Sequence, residues 1–172
     1  MRNFVLLILF SCGIVQAAQR VDVETILKSL YPHTTKIEKR SDIITKKELA
    51  RIQKKAKTRI KSKLIRYYLI HHGGKTDVAI VSSQKVRTKK AAILYLIEDG
   101  KIVHVEILAF GEPPEFIPSK KLLQQFHGKT ADSKLRVGED IAAKSGATLS
   151  AKSVTNGAKI ALAIYEVKFK KR

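Results

Sequence analysis

The dipeptide Asp99-Gly100, set between two apolar runs, limits what this chain can fold into more than any other feature. A two-residue hairpin loop needs positive φ angles, and Asp-Gly supplies them at little steric cost. The flanking runs, Ala91 to Glu98 and Lys101 to Phe110, are therefore expected to pair antiparallel. Alternation along the second run puts Val103, Val105, Ile107 and Ala109 on one face and His104, Glu106 and Leu108 on the other. Two further stretches rich in Ile, Leu, Val and Tyr, Lys63 to Ile70 and Asp77 to Ser82, come earlier. Gly73-Gly74 and a basic patch at Lys85 to Lys90 separate them from their neighbours, so four strands are the economical reading.

Helical periodicity dominates the two ends. Val21 to Leu30 carries Val23, Ile26, Leu27 and Leu30 at the spacing of one helical face, and Pro32 stops it. Thr45 with Glu48 forms a capping box for a second helix, whose buried stripe runs through Leu49, Ile52 and Ala56. Its other face is Lys46, Lys47, Arg51, Lys54, Lys55 and Lys57, a pattern that suits either a solvated surface or an anionic partner. The three prolines of the stretch Gly111 to Pro118 require a loop. Ser119 then caps a short helix over Lys120 to His127, with Leu122, Leu123 and Phe126 buried and Gly128 as its stop. A last helix is expected over Ser150 to Tyr165, from Val154, Ala158, Ala161 and Leu162. Strands in the middle and helices at the ends predict an α+β fold, a twisted antiparallel sheet with helices packed against one face.

At 172 residues with 44% apolar and 28% charged side chains, the chain has the composition of one globular domain rather than a disordered one. Residues 1–17 read as a secretory leader: Arg2, the apolar run Phe4 to Phe10, and the small-residue pattern Val15-Gln16-Ala17. That predicts an exported, periplasmic protein. Leu9-Phe10-Ser11-Cys12 also resembles a lipoprotein cleavage box, but the apolar run continues through Ile14 and Val15, which favours ordinary cleavage. Cys12 is the only cysteine, and its removal with the leader excludes a disulfide or a thiolate metal site. The five histidines lack metal-ligand spacing, and His71 and His72, adjacent on a strand, point to opposite faces. The formal charge of +19 implies an acidic partner or serves solubility. No nucleic-acid-binding signature accompanies it, so anionic lipid head groups or an acidic redox partner suit an exported chain better.

One segment carries candidate chemistry. Ser145-Gly146-Ala147-Thr148-Leu149-Ser150 stands just before the last helix and presents the Thr148 hydroxyl near a helix N-terminus. Outward N–H groups and the macrodipole there favour a phosphate, Gly146 and Ala147 leave the backbone uncovered, and Lys144 and Lys152 bring positive charge. The same residues also read as an ordinary Ser/Thr-capped helix start after a glycine turn. No paired acid and base, metal cluster or nucleophile triad is visible elsewhere.

The order Asp99-Gly100-Lys101-Ile102, Glu112-Pro113-Pro114, Gln124-Gln125-Phe126 and Ser145-Gly146-Ala147-Thr148-Leu149-Ser150 resembles the FMN-binding domain family. That family includes FMN-carrying subunits of the Rnf and Nqr complexes and many periplasmic flavoproteins. The resemblance implies FMN held as a phosphoester on Thr148 by a separate flavin transferase, which uses FAD and a divalent metal and releases AMP. It implies an electron carrier rather than a turnover enzyme, passing electrons to a redox partner protein or a membrane electron-transport complex. Ser145, Gly146, Ala147 and Ser150 would surround the phosphate, and Glu112 with its proline-rich loop would lie over the ring. Leu149, Phe116 and Phe126 fit core positions better. The division that follows is a leader at 1–17, a helical N-terminal extension at 18–62, the FMN-binding domain at 63–167 and a basic tail at 168–172. The contrasting reading is a basic periplasmic adaptor of the same fold without flavin.

Overall fold

Gly73-Gly74 and Asp99-Gly100 each turn the chain with two residues in the left-handed region, at φ 51° and 75° and at φ 44° and 81°. They join the strands of a meander that the computed structural model describes over residues 22–143 and 146–170. In chain order the elements are α1 (Val23–Leu30), β1 (Lys36–Ile43), α2 (Lys46–Ala56), β2 (Leu64–His72), β3 (Lys75–Lys85), β4 (Lys90–Glu98), β5 (Lys101–Phe110), α3 (Lys120–Gln124) and α4 (Thr148–Lys168). The sheet order is β1-β2-β3-β4-β5, every neighbouring pair antiparallel. The fold is α+β, as expected.

The stretch expected as a helical extension holds both helices but also β1, which adds a fifth strand to the sheet. Its sequence, Lys-Ile-Glu-Lys-Arg-Ser-Asp-Ile, lacks an apolar alternation because an edge strand has little to bury and is kept from pairing further by its charges. Asp42 fastens it to the rest, accepting from Lys168 Nζ at 2.6 Å and from the Tyr67 hydroxyl at 3.1 Å. The Lys168 ammonium holds the Asp42 carboxyl below its ordinary range.

β5 also departs from strict alternation. Val103 and Leu108 are extra residues at two bulges, where the register against β4 shifts. Each bulge reverses the faces, so Ile102, Val105, Ile107 and Phe110 look into the main core. Val103 and Ala109, expected beside Val105 and Ile107, fall on the opposite face with His104 and Glu106. That second face is not bare: α1 packs there, with Leu27 against Tyr68, Ile70, Ala79, Leu94 and Leu96. The helices therefore lie on both faces rather than one.

The main core lies between the sheet and the pair α2 and α4. Along α4, twelve of 21 residues are buried, many of them small. Ala, Ser and Gly allow the helix backbone to approach β3 and β4 closely. Tyr95, fully buried on β4, donates its hydroxyl to the Val154 carbonyl of α4 at 2.7 Å, and burial pushes its pKa up. Gly157 lies directly over this ring: a Cβ there would stand 2.9 Å from Tyr95 Cζ and closer still to its oxygen. In an open helix Gly→Ala stabilises by about 1 kcal/mol. Here Gly157→Ala should instead destabilise by about 1–3 kcal/mol, through overpacking. Urea unfolding checks this, and an unchanged or raised midpoint would contradict the close approach.

Candidate functional site

Three helices of this protein begin with a side-chain cap: Asp22 for α1, Thr45 with its capping box for α2, and Ser119 for α3. Helix α4 begins differently. Its N-cap is Ala147, at φ −101° and ψ 7°, and no side chain caps it among the described residues. The first helical hydrogen bond runs from the Ala151 N–H to the Ala147 carbonyl at 3.0 Å. The ordinary reading of a Ser/Thr-capped start therefore does not hold there. Thr148 is the first helical residue, two positions earlier than periodicity predicts, and it is exposed. Lys152, also exposed, lies one turn on and shares its face. Gly146 sits at φ +84° with nothing within 4 Å of a Cβ position, so the backbone before Thr148 is open to a ligand. Ser145 and Lys144 lie outside the described residues.

Ser150 turns inward and donates its hydroxyl to the Phe116 carbonyl at 2.6 Å. It thus ties the first turn of α4 to the proline-rich loop after β5. The Arg87 guanidinium stacks over the Phe116 ring at 4.3 Å, bringing in the loop between β3 and β4. Glu112 completes the connection from the other side. Its Oε1 accepts the backbone N–H groups of Arg87 at 3.1 Å, Thr88 at 2.6 Å and Lys89 at 2.7 Å. These amides, that of Lys89 foremost, hold its carboxyl below the ordinary glutamate range. Glu112 is thereby committed to shaping a loop. The α4 N-terminus and two loops thus meet at one end of the sheet, while the Asp99-Gly100 hairpin, packed near Tyr165, marks the other.

Sequence reasoning missed how the approach to Gly146 is held. Gln125 brackets Ala142, accepting its N–H at 2.7 Å and donating to its carbonyl at 3.0 Å. Asp140 accepts the N–H groups of Leu135 at 3.0 Å and Arg136 at 2.6 Å, with Lys129 Nζ at 3.3 Å. The only signal was the Gln-Gln-Phe order, which marks no partner. Phe126 is core as expected and Phe116 is half-buried, but Leu149 is 46% exposed. His71 turns to Thr76 and His72 to Asp77, so the two do not share a ligand.

A carboxyl held low by amide donors contributes its clamp fully above the free glutamate pKa of about 4.3. The clamp is lost as pH falls through the lower, folded value. The amide proton shifts of Arg87, Thr88 and Lys89 should therefore titrate together by NMR, with a midpoint below about 4.3. Glu112→Gln should abolish that titration; a midpoint at or above the free value would contradict the clamp.

The family model of the FMN-binding domain matches residues 89–163. No curated protein matches the chain. The matched stretch holds β4, β5, the proline-rich loop, α3 and most of α4, and so contains Glu112, Gly146, Thr148 and Ser150. It begins where the sheet meets the Glu112 loop and ends inside the helix that presents Thr148. The chain carries, across residues 89–163, a domain of the FMN-binding family.

Proposed function

We propose that this protein is an exported electron carrier whose FMN is joined through a phosphoester to the Thr148 hydroxyl. The carrying observation is an exposed threonine on the first turn of a long helix without a side-chain cap, inside the stretch that matches the FMN-binding domain. The residues fit the group. Gly146 leaves its side of the backbone open, Lys152 adds positive charge on the Thr148 face, and the helix start favours a phosphate. When bound, the flavin supplies the redox chemistry, while the protein binds and orients it.

The chain's own groups position rather than react. Ser150, locked to Phe116, fixes the rotation of the first turn and with it the direction of Thr148. Arg87 and the Glu112-clamped loop stand beside that turn and border the space a ring would occupy. Among the described residues no side chain accepts a hydrogen bond from the Thr148 hydroxyl. A hydroxyl so placed is a weak nucleophile, which agrees with attachment by a separate flavin transferase that brings its own base and metal. Export rests on residues 1–17, outside the described part. Among the described residues no helix is long and apolar enough to cross a membrane.

Thr148→Ala should leave the fold intact, because the side chain is exposed, and should abolish covalent flavin. Intact-mass measurement of protein produced with a flavin transferase reads this directly. One FMN on the variant would contradict Thr148 as the attachment site, and none on the parent chain would favour an adaptor without flavin. The surplus of positive charge should also steer an acidic redox partner. Reduction measured by stopped flow should then slow as the Debye length shrinks from about 30 Å at 0.01 M salt to about 8 Å at 0.15 M. A flat salt profile would leave the charge to solubility alone.

A further inference from the structure

Helix α2, the loop from Ala131 to Arg136 and the second half of α4 enclose an open cleft of about 750 Å³. Cations reach it from all three elements. Helix α2 contributes Arg51, Lys54 and Lys55, its C-cap adds Lys57, the loop gives Lys134 and Arg136, and α4 gives Lys159. Asp132 is the one acidic residue on the wall. Lys55 is met by Glu166 at 3.6 Å, and Lys134 and Arg136 share Glu139 at 3.8 and 3.1 Å. Arg51, Lys54, Lys57 and Lys159 have no carboxylate within 4.0 Å among the described residues. The floor is apolar, with Ala56, Leu162 and Ala163.

One wall is held in place by its surroundings. Of the three non-glycine residues in the left-handed region among the described residues, two border this cleft, Lys57 at φ 49° and Leu135 at φ 47°. Such conformations persist only where the surroundings enforce them. Around Leu135 they do: its side chain is buried, and the Asp140 carboxylate grips its N–H and that of Arg136. A concavity lined mostly by one sign of charge focuses its field and calls for a counter-charge of matching size. The volume is that of a small-molecule site, typically about 300–1,000 Å³, rather than of a flat macromolecular face. Lysines serve as point-charge phosphate binders, and an arginine adds a planar fork.

We propose that this cleft binds a ligand bearing at least two adjacent phosphoryl charges, either free in solution or on an anionic lipid surface. It lies on α4 about 16 Å beyond Thr148, at about 1.5 Å per residue, and stands apart from the flavin reading.

The test titrates inorganic pyrophosphate into the protein by calorimetry in about 0.15 M salt. In parallel, co-sedimentation uses phosphatidylcholine vesicles with about one third cardiolipin, whose headgroup carries two phosphates. Saturable binding of either probe is expected, pyrophosphate alone marking a free ligand and vesicles alone a lipid surface. Lys54→Gln/Lys57→Gln/Lys159→Gln should weaken it about tenfold or more. The arginine triple at the same positions should retain it. Lys46→Gln/Lys47→Gln/Lys63→Gln removes the same charge outside the cleft and should change binding less than about twofold. No binding of either probe, or equal loss in both glutamine variants, would overturn the site.

Discussion

The hydrogen bond from Tyr95 to the Val154 carbonyl, made across the gap that Gly157 leaves open, sets where everything else stands. It holds α4 against β4 at close range and in one register. The helix then runs the length of the sheet, from the Phe116 loop at its start to the Gly100 hairpin near Tyr165. Thr148 is presented where it is because Tyr95, three residues before the end of β4, bonds Val154 one helical turn before Gly157 and so fixes how α4 is seated on the sheet. A larger residue at 157 would lift the helix and shift its first turn relative to the loops.

Those loops are shaped by polar groups that turn inward. Glu112 gathers three amides of the loop between β3 and β4, and Ser150 reaches the Phe116 carbonyl. Each satisfies backbone groups that would otherwise need water, and together they join segments far apart in sequence into one rim. Asp140 and Gln125 do the same for the chain that leads into Gly146. The approach to Thr148 is therefore built from caps and clamps, with Gly146 left open between them.

Local signals in the sequence were legible where a residue's partner is close by. The Thr45 and Glu48 box forms as expected, with Glu48 N–H to Thr45 Oγ1 at 3.1 Å and Thr45 N–H to Glu48 at 2.8 Å. The Asp99-Gly100 hairpin forms for the same reason. Strand β1 was not legible, since a charged edge carries no apolar alternation. Nor were the bulges at Val103 and Leu108, which are decided by pairing with β4 rather than by either residue's own preference. At the candidate site Thr148 and Gly146 stood out through the resemblance of their segment to the FMN-binding domain family, since the residues alone also read as an ordinary helix start. The role of Glu112 could not, because its amide partners lie more than twenty residues away and a carboxylate's target is not written in its neighbours.

The proposed function turns on whether phosphorus is held at Thr148 as a diester. Flavin bound without a covalent link carries a phosphate monoester, whose second pKa of about 6 moves its ³¹P resonance across neutral pH. A diester to threonine has no such ionisation. The ³¹P spectrum of the purified flavin-loaded protein, recorded between about pH 5 and pH 8, tests this most directly. The account predicts one protein-bound resonance that does not move; a resonance that titrates near pH 6 would contradict it.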